Sequence, residues 1–157
     1  MKFGDPLSLE MEINLEEFQV AVAAEAKTFE EALRRGMEKA ARYLLETCYT
    51  EAPTIPYDTG ATRGSGTVYL DGKRVFDKTG TYPAGQGIAP GAMPPPTEAH
   101  VVEAIVGFFT DYASWIHEVP ANFHFPGSGN YYLASKVDAH RAEITAIVQR
   151  EIDEALR

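Results

Sequence analysis

Apolar residues at alternate positions open the chain. In "LSLEMEINL", Leu7, Leu9, Met11, Ile13 and Leu15 face one way, and Ser8, Glu10, Glu12 and Asn14 face the other. A period of two predicts a half-buried strand. Asn14 is then placed to cap a helix with Glu16 and Glu17 in its first turn, where carboxylates meet the positive end of the helix dipole. Val22, Ala26, Phe29, Leu33, Met37, Ala40, Leu44 and Cys48 recur every three or four residues, one face of an amphipathic helix. At ~1.5 Å per residue, about thirty such residues reach roughly 45 Å. Thr28 with Glu31 has the form of a capping box, so one helix or two consecutive helices fit the pattern. Pro53 and Pro56 end it.

The period returns to two in "GTVYLDGKRVFD". Asp71-Gly72 is a strong two-residue turn signal, because both positions want positive φ, so a β-hairpin is predicted. Val68 and Leu70 alternate with Thr67 and Tyr69 on one arm, and Val75 lies on the other. Residues 77–99 hold Pro and Gly with no periodicity, and Pro94-Pro95-Pro96 favours a locally extended chain. Two readings stand for this segment: a disordered surface loop, or an arm that orders against a neighbouring subunit because it has little to bury by itself. "HVVEAIVGFF" predicts a strand with Val101, Ile105 and Val106 buried. "DYASWIHE" predicts a short helix capped by Asp111, with Tyr112 and Ile116 presented and Trp115 in the core. An aromatic loop, "VPANFHFPGSGN", leads to a last helix with Leu133, Val137, Ile144, Val148, Ile152 and Ala155 as its apolar stripe. The order of elements predicts a single α+β domain over residues 1–157. A small, mostly antiparallel sheet packs against a long helix in the N-terminal half and a C-terminal helix.

Composition narrows the function. At 157 residues the chain is long enough for one sizeable core. A net charge of -9 repels phosphates, which argues against tight binding to nucleic acid or to an anionic membrane. Cys48 is the only cysteine, so no intrachain disulfide forms. "MKFGDPLSLE" has no apolar run of the signal-peptide kind, and nothing approaches the roughly 18 apolar residues of a membrane span.

The candidate chemistry is sparse. "PYDTGATRGS" contains D-T-G-A, the string that carries the catalytic aspartate of retroviral-type aspartic proteases. There the motif follows an apolar strand, and two such loops bring their carboxylates together. Here the preceding "CYTEAPTIPY" is a helix end and a Pro-broken turn. The turn reading has its own mechanism: Asp58 accepts backbone N–H groups, Thr59 adds a hydroxyl, and Gly60 supplies positive φ. Asp58, Thr59 and Gly60 are therefore read as structural. His117-Glu118 lacks the second histidine of a zinc helix, position 121 being Ala, so His117 and His124 are read as packing residues. Cys48, on the apolar stripe, reads as a small buried hydrophobe. No catalytic residue, cofactor or metal is expected.

The motifs taken together resemble the neck or tail-completion proteins of tailed bacteriophages, a family of minor capsid or minor tail components. The likeness is carried by a helix ending in Ala52-Pro53, by Asp58-Thr59-Gly60 with Ser65 downstream, and by a strand ending in "VGF". It continues with Tyr112-Ala113 opening a short helix closed by His117-Glu118, then Pro126-Gly127 before "YYLASKV". It spans roughly residues 8–157. The chain departs from the pattern in the inserted "TIPY", in Thr62 and in the length of its Pro/Gly loop.

The resemblance implies a virion structural protein at the head–tail interface, assembled in the host cytoplasm, with no enzymatic activity. It also implies a six- or twelve-fold ring of copies that meets portal, adaptor or head-closure proteins on one side and tail terminator or tube proteins on the other. DNA would pass through without specific binding. Tyr82, Pro94, Pro95, Pro96, Phe123 and Phe125 are candidate interface residues, and Asp71 and Asp77 candidate lumen residues. Two other classes remain open: a small hydrolase, aspartic-protease-like through Asp58 or metal-dependent through His117 and His124, and a soluble adaptor that uses its Pro-rich loop.

Overall fold

The structure, a computed structural model, describes residues 7–14, 26–57, 60–78, 90–99 and 101–157. Four strands form one antiparallel sheet. They are β1 (Leu7–Asn14), β2 (Gly66–Leu70), β3 (Lys73–Asp77) and β4 (Val101–Phe108), in the order β1-β4-β2-β3. The helices are α1 (Ala26–Thr50), the single turn α2 (Ala61–Gly64), α3 (Ala113–Glu118) and α4 (Ala134–Ala155). The α+β prediction holds: the sheet packs against the long α1 and the C-terminal α4.

The stripe of α1 is the centre of the core. Phe29, Leu33, Met37, Ala40, Leu44 and Cys48 are buried against Val68, Val102, Val106 and Phe108 of the sheet. The helix is unbroken through Thr28, which lies inside it, so the capping-box break does not form there. The proposed start at Asn14 with Glu16 and Glu17, and Val22 of the stripe, lead into residues outside the described ones. α4 lies on α1 where the two backbones come close: a Cβ on Gly36 would sit 2.9 Å from Val148 Cα. Of the predicted α4 stripe, Leu133 and Val148 are buried, while Val137, Ile144 and Ile152 are half-buried.

β4 is buried at all eight positions, more than the three the pattern suggested. It is an inner strand, so α1 covers one face. The other face carries a second small cluster of Tyr69, Ile105 and Phe109, with Met93 packed on it. The hairpin forms as predicted, with Asp71 at φ 48° and Gly72 at φ 81°, and a register shift between Val68 and Tyr69 leaves Val75 bulged.

Of the Pro/Gly segment 77–99, residues 79–89 lie outside the described residues. Its later part lies against the chain's own sheet: Met93 N–H donates to Gly72 O at 2.8 Å, Ala92 bridges to Lys73, and Tyr69 OH donates to Pro90 O. The alternation of Tyr69 and Ile105 with core-facing residues explains this, since it leaves an apolar face that Met93 closes. Pro94 and Pro95 stay exposed and Pro96 is half-buried. Tyr82 is outside the described residues.

Candidate interaction surface

The segment after α1 is held in place by hydrogen bonds to the aromatic loop. Thr54 N–H donates to Gly127 O at 2.7 Å, and Gly129 N–H donates to Thr54 O at 3.2 Å. Gly60, at φ 87°, then turns the chain into α2, a conformation a side chain would strain. Asp58 and Thr59 lie outside the described residues.

α2 delivers Arg63, a residue the sequence reading passed over. Its guanidinium is buried and donates to Ile55 O through Nε at 3.1 Å and Nη2 at 2.7 Å. The same group lies 4.8 Å from the Phe125 ring centre and 5.6 Å from that of Tyr57. The two rings are themselves 5.6 Å apart. A delocalised, weakly hydrated cation between aromatic faces suits Arg and would not suit Lys. A basic residue in a turn gives no periodic signal, so only the fold shows what it organises.

α3 faces this cluster. It is too short to bury more than one side, and Ala113 and His117, one turn apart, take the inner positions. Trp115, expected in the core, is therefore turned outward and 37% exposed. Asp111 does not cap the helix: Tyr112 occupies the N-cap position with no side-chain cap bond, and Ala113 N–H donates to Thr110 O.

His117 is a packing residue, its ring edge-on to Tyr131 and Tyr132. Its Nε2 accepts the Ala134 N–H at 3.3 Å, which requires the neutral ring, and burial lowers its pKa. Asn130 Nδ2 closes the helix end by donating to Ile116 O and Val119 O. Cys48 is fully buried and its thiol is pushed up to about 12 by desolvation, the inert state expected of a core hydrophobe.

Between these parts lies a cleft of about 370 Å³. It is lined by Pro56, Tyr57, Gly60 and Thr62 from the segment leading into α2, by Tyr112 and Ile116 at α3, and by Asn122, Phe123 and His124 of the aromatic loop. Tyr57, Tyr112, Trp115, Phe125 and Tyr131 are between 37% and 53% exposed. The described lining holds no carboxylate. It offers aromatic faces, hydroxyls, one side-chain amide and one imidazole, groups that pack and hydrogen-bond an uncharged chain. Among the described residues no group of three or more His, Cys, Asp or Glu is placed to hold a metal.

Of the interface candidates, Phe123 lines this cleft and Phe125 stacks beside it, while Pro94, Pro95 and Pro96 sit elsewhere, beside the hairpin turn. Asp71 is engaged in pinning the hairpin. Its Oδ1 accepts the Glu103 N–H at 3.0 Å and its Oδ2 accepts Arg34 Nε at 2.8 Å. Asp77 is 3.6 Å from Arg74. Both candidate lumen charges are thus paired with a cation.

Comparison with protein-family models, with curated proteins and with solved structures finds no match for this chain.

Proposed function

We propose that this chain is a structural protein of the head–tail joining region of a tailed bacteriophage, assembling as a homo-oligomeric ring through which DNA passes. The observation that carries the reading is the aromatic face around the cleft. Tyr57, Tyr112 and Phe123 line it and Phe125 packs on Tyr57, and partly exposed rings grouped in this way are the composition of an interface core more than of a monomer's solvated surface. The motifs that carry the resemblance to neck proteins lie at the boundaries of elements. Ala52-Pro53 follows α1, Gly60 turns into α2, Val106-Gly107-Phe108 ends β4, and Tyr112-Ala113 opens α3.

The charge of -9 suits a conduit, since acidic walls let a polyanion slide without binding. With Asp71 and Asp77 paired to cations, the lumen charge of such a ring rests on the net acidity of the subunit more than on those two carboxylates. Its partners in this reading are further copies of itself, the portal or head-closure side, and the tail. Among the described residues no helix is long and apolar enough to cross a membrane.

The test is native mass measurement and negative-stain imaging of the purified chain, alone and mixed with purified portal or tail complexes. A closed ring in either setting is the expected result. A monomer that joins neither refutes the reading.

A further inference from the structure

The cleft and the Pro-rich strap are at opposite ends of the sheet. Gly60, Ala61 and Thr62 of the cleft precede β2, whereas Gly72, which follows β2, touches Met93 and Pro95 of the strap. At ~3.3 Å per residue the five residues of β2 separate them by about 17 Å. The strap is anchored on its own sheet by Met93 and its backbone, with Pro94 and Pro95 facing solvent. It cannot reach the cleft of the same molecule without breaking those contacts.

The two surfaces are chemically matched. Three consecutive prolines favour a polyproline helix, whose backbone carbonyls are unpaired and whose rings are flat and apolar. Grooves that bind such a ligand supply parallel aromatic rings with hydroxyl or indole donors between them. Tyr57, Tyr112 and Phe123 supply rings to the cleft, the two tyrosines with hydroxyls, and Asn122 supplies a side-chain amide. Charge points the same way. Copies carrying -9 each repel at long range, and a contact between two surfaces of little charge adds no further repulsion at short range. Residues 90–97 hold no charged side chain, and the described lining of the cleft holds no carboxylate.

The geometry points to capture of the Pro94-Pro95-Pro96 strap of one copy by the aromatic cleft of the next. A donor at one end of the sheet and an acceptor at the other make a head-to-tail contact, the kind that closes into a ring or runs on as a filament. Because both halves are already formed in the single chain, little ordering entropy opposes the union. This inference rests on the ring reading for its setting but is tested apart from it.

The receptor is the full chain with Pro94→Ala, Pro95→Ala and Pro96→Ala, whose own strap no longer competes. A peptide of residues 90–99 is titrated into it by isothermal calorimetry. Saturable binding is expected. It should weaken at least tenfold when the peptide carries Ala at 94–96, or when the receptor also carries Tyr112→Ala, with circular dichroism and melting temperature showing both receptors folded. Mixing the strap variant with the Tyr112→Ala chain should yield dimers and no closed ring, since one junction per pair survives. A peptide that shows no saturable binding, or binds equally with Ala at 94–96, overturns the inference. So does a ring that persists in the strap variant, which leaves the ring reading standing. Peptide binding to a chain that stays monomeric even with portal upholds the strap–cleft contact and overturns the ring.

Discussion

Arg63→Met removes the residue that organises the cleft while keeping most of its stem volume. Three effects set the magnitude. The guanidinium sends two N–H groups to one acceptor, Ile55 O, at 2.7 and 3.1 Å. Sharing an acceptor, they amount to one strong charged bond, worth about 1.5–3 kcal/mol. The stacking on Phe125 and Tyr57 adds about 0.5–2 kcal/mol. Against this, Ser128 Oγ also donates to Ile55 O at 3.3 Å, so the carbonyl is not wholly orphaned.

The expected loss is about 3 kcal/mol. At about 2–4 °C per kcal/mol for a chain of this size, melting should fall by about 6–12 °C. Urea titration should show a lower midpoint with an unchanged slope, because the surface exposed on unfolding is the same. Arg63→Lys should recover less than half, since an ammonium is a point donor and cannot bridge the two rings as a plane. A loss under about 1 kcal/mol for Arg63→Met, or full recovery by Lys, would show that the guanidinium does not hold this corner together.

Gly36→Ala places a methyl 2.9 Å from Val148 Cα, backbone that cannot swing aside, so a loss of about 1–3 kcal/mol in urea unfolding is expected as α4 is pushed off α1. Asp71→Ala loses the acceptor for Glu103 N–H, the Arg34 partner and a residue suited to φ 48°, whereas Asp71→Asn keeps the first and the last, so thermal melting should rank wild type, Asn, then Ala. Because the His117 pKa is lowered from 6.5, its contribution to stability is complete above pH 6.5 and is lost as the pH falls toward the folded value; His117→Gln, which keeps an acceptor for Ala134 N–H, should flatten melting temperature between about pH 6.5 and 5. Cys48 should stay unreactive to a disulfide reagent at pH 8 until the chain unfolds, and since its pKa rises from 9.0 to about 12, the wild type should lose about 1.4 kcal/mol of stability per pH unit above pH 9 more than Cys48→Ala does.

The period of hydrophobicity determined the strands of the hairpin, the stripe of α1 and the α+β class by itself, because each of those depends on spacing within a few residues. Cys48 was legible for the same reason, since it falls on the stripe. Neighbours far apart in sequence were not. β4 is buried on both faces only because α1 and Met93 close over it from opposite sides. Trp115 faces out because a six-residue helix has one inner side and Ala113 and His117 occupy it. Arg63 and Phe125 meet across 61 intervening positions, and no local pattern marks a cation destined for two rings. The D-T-G-A string is short enough to suggest a catalytic aspartate. What distinguishes a turn from a reaction centre is which other side chains the fold brings to it, and that is decided by tertiary packing.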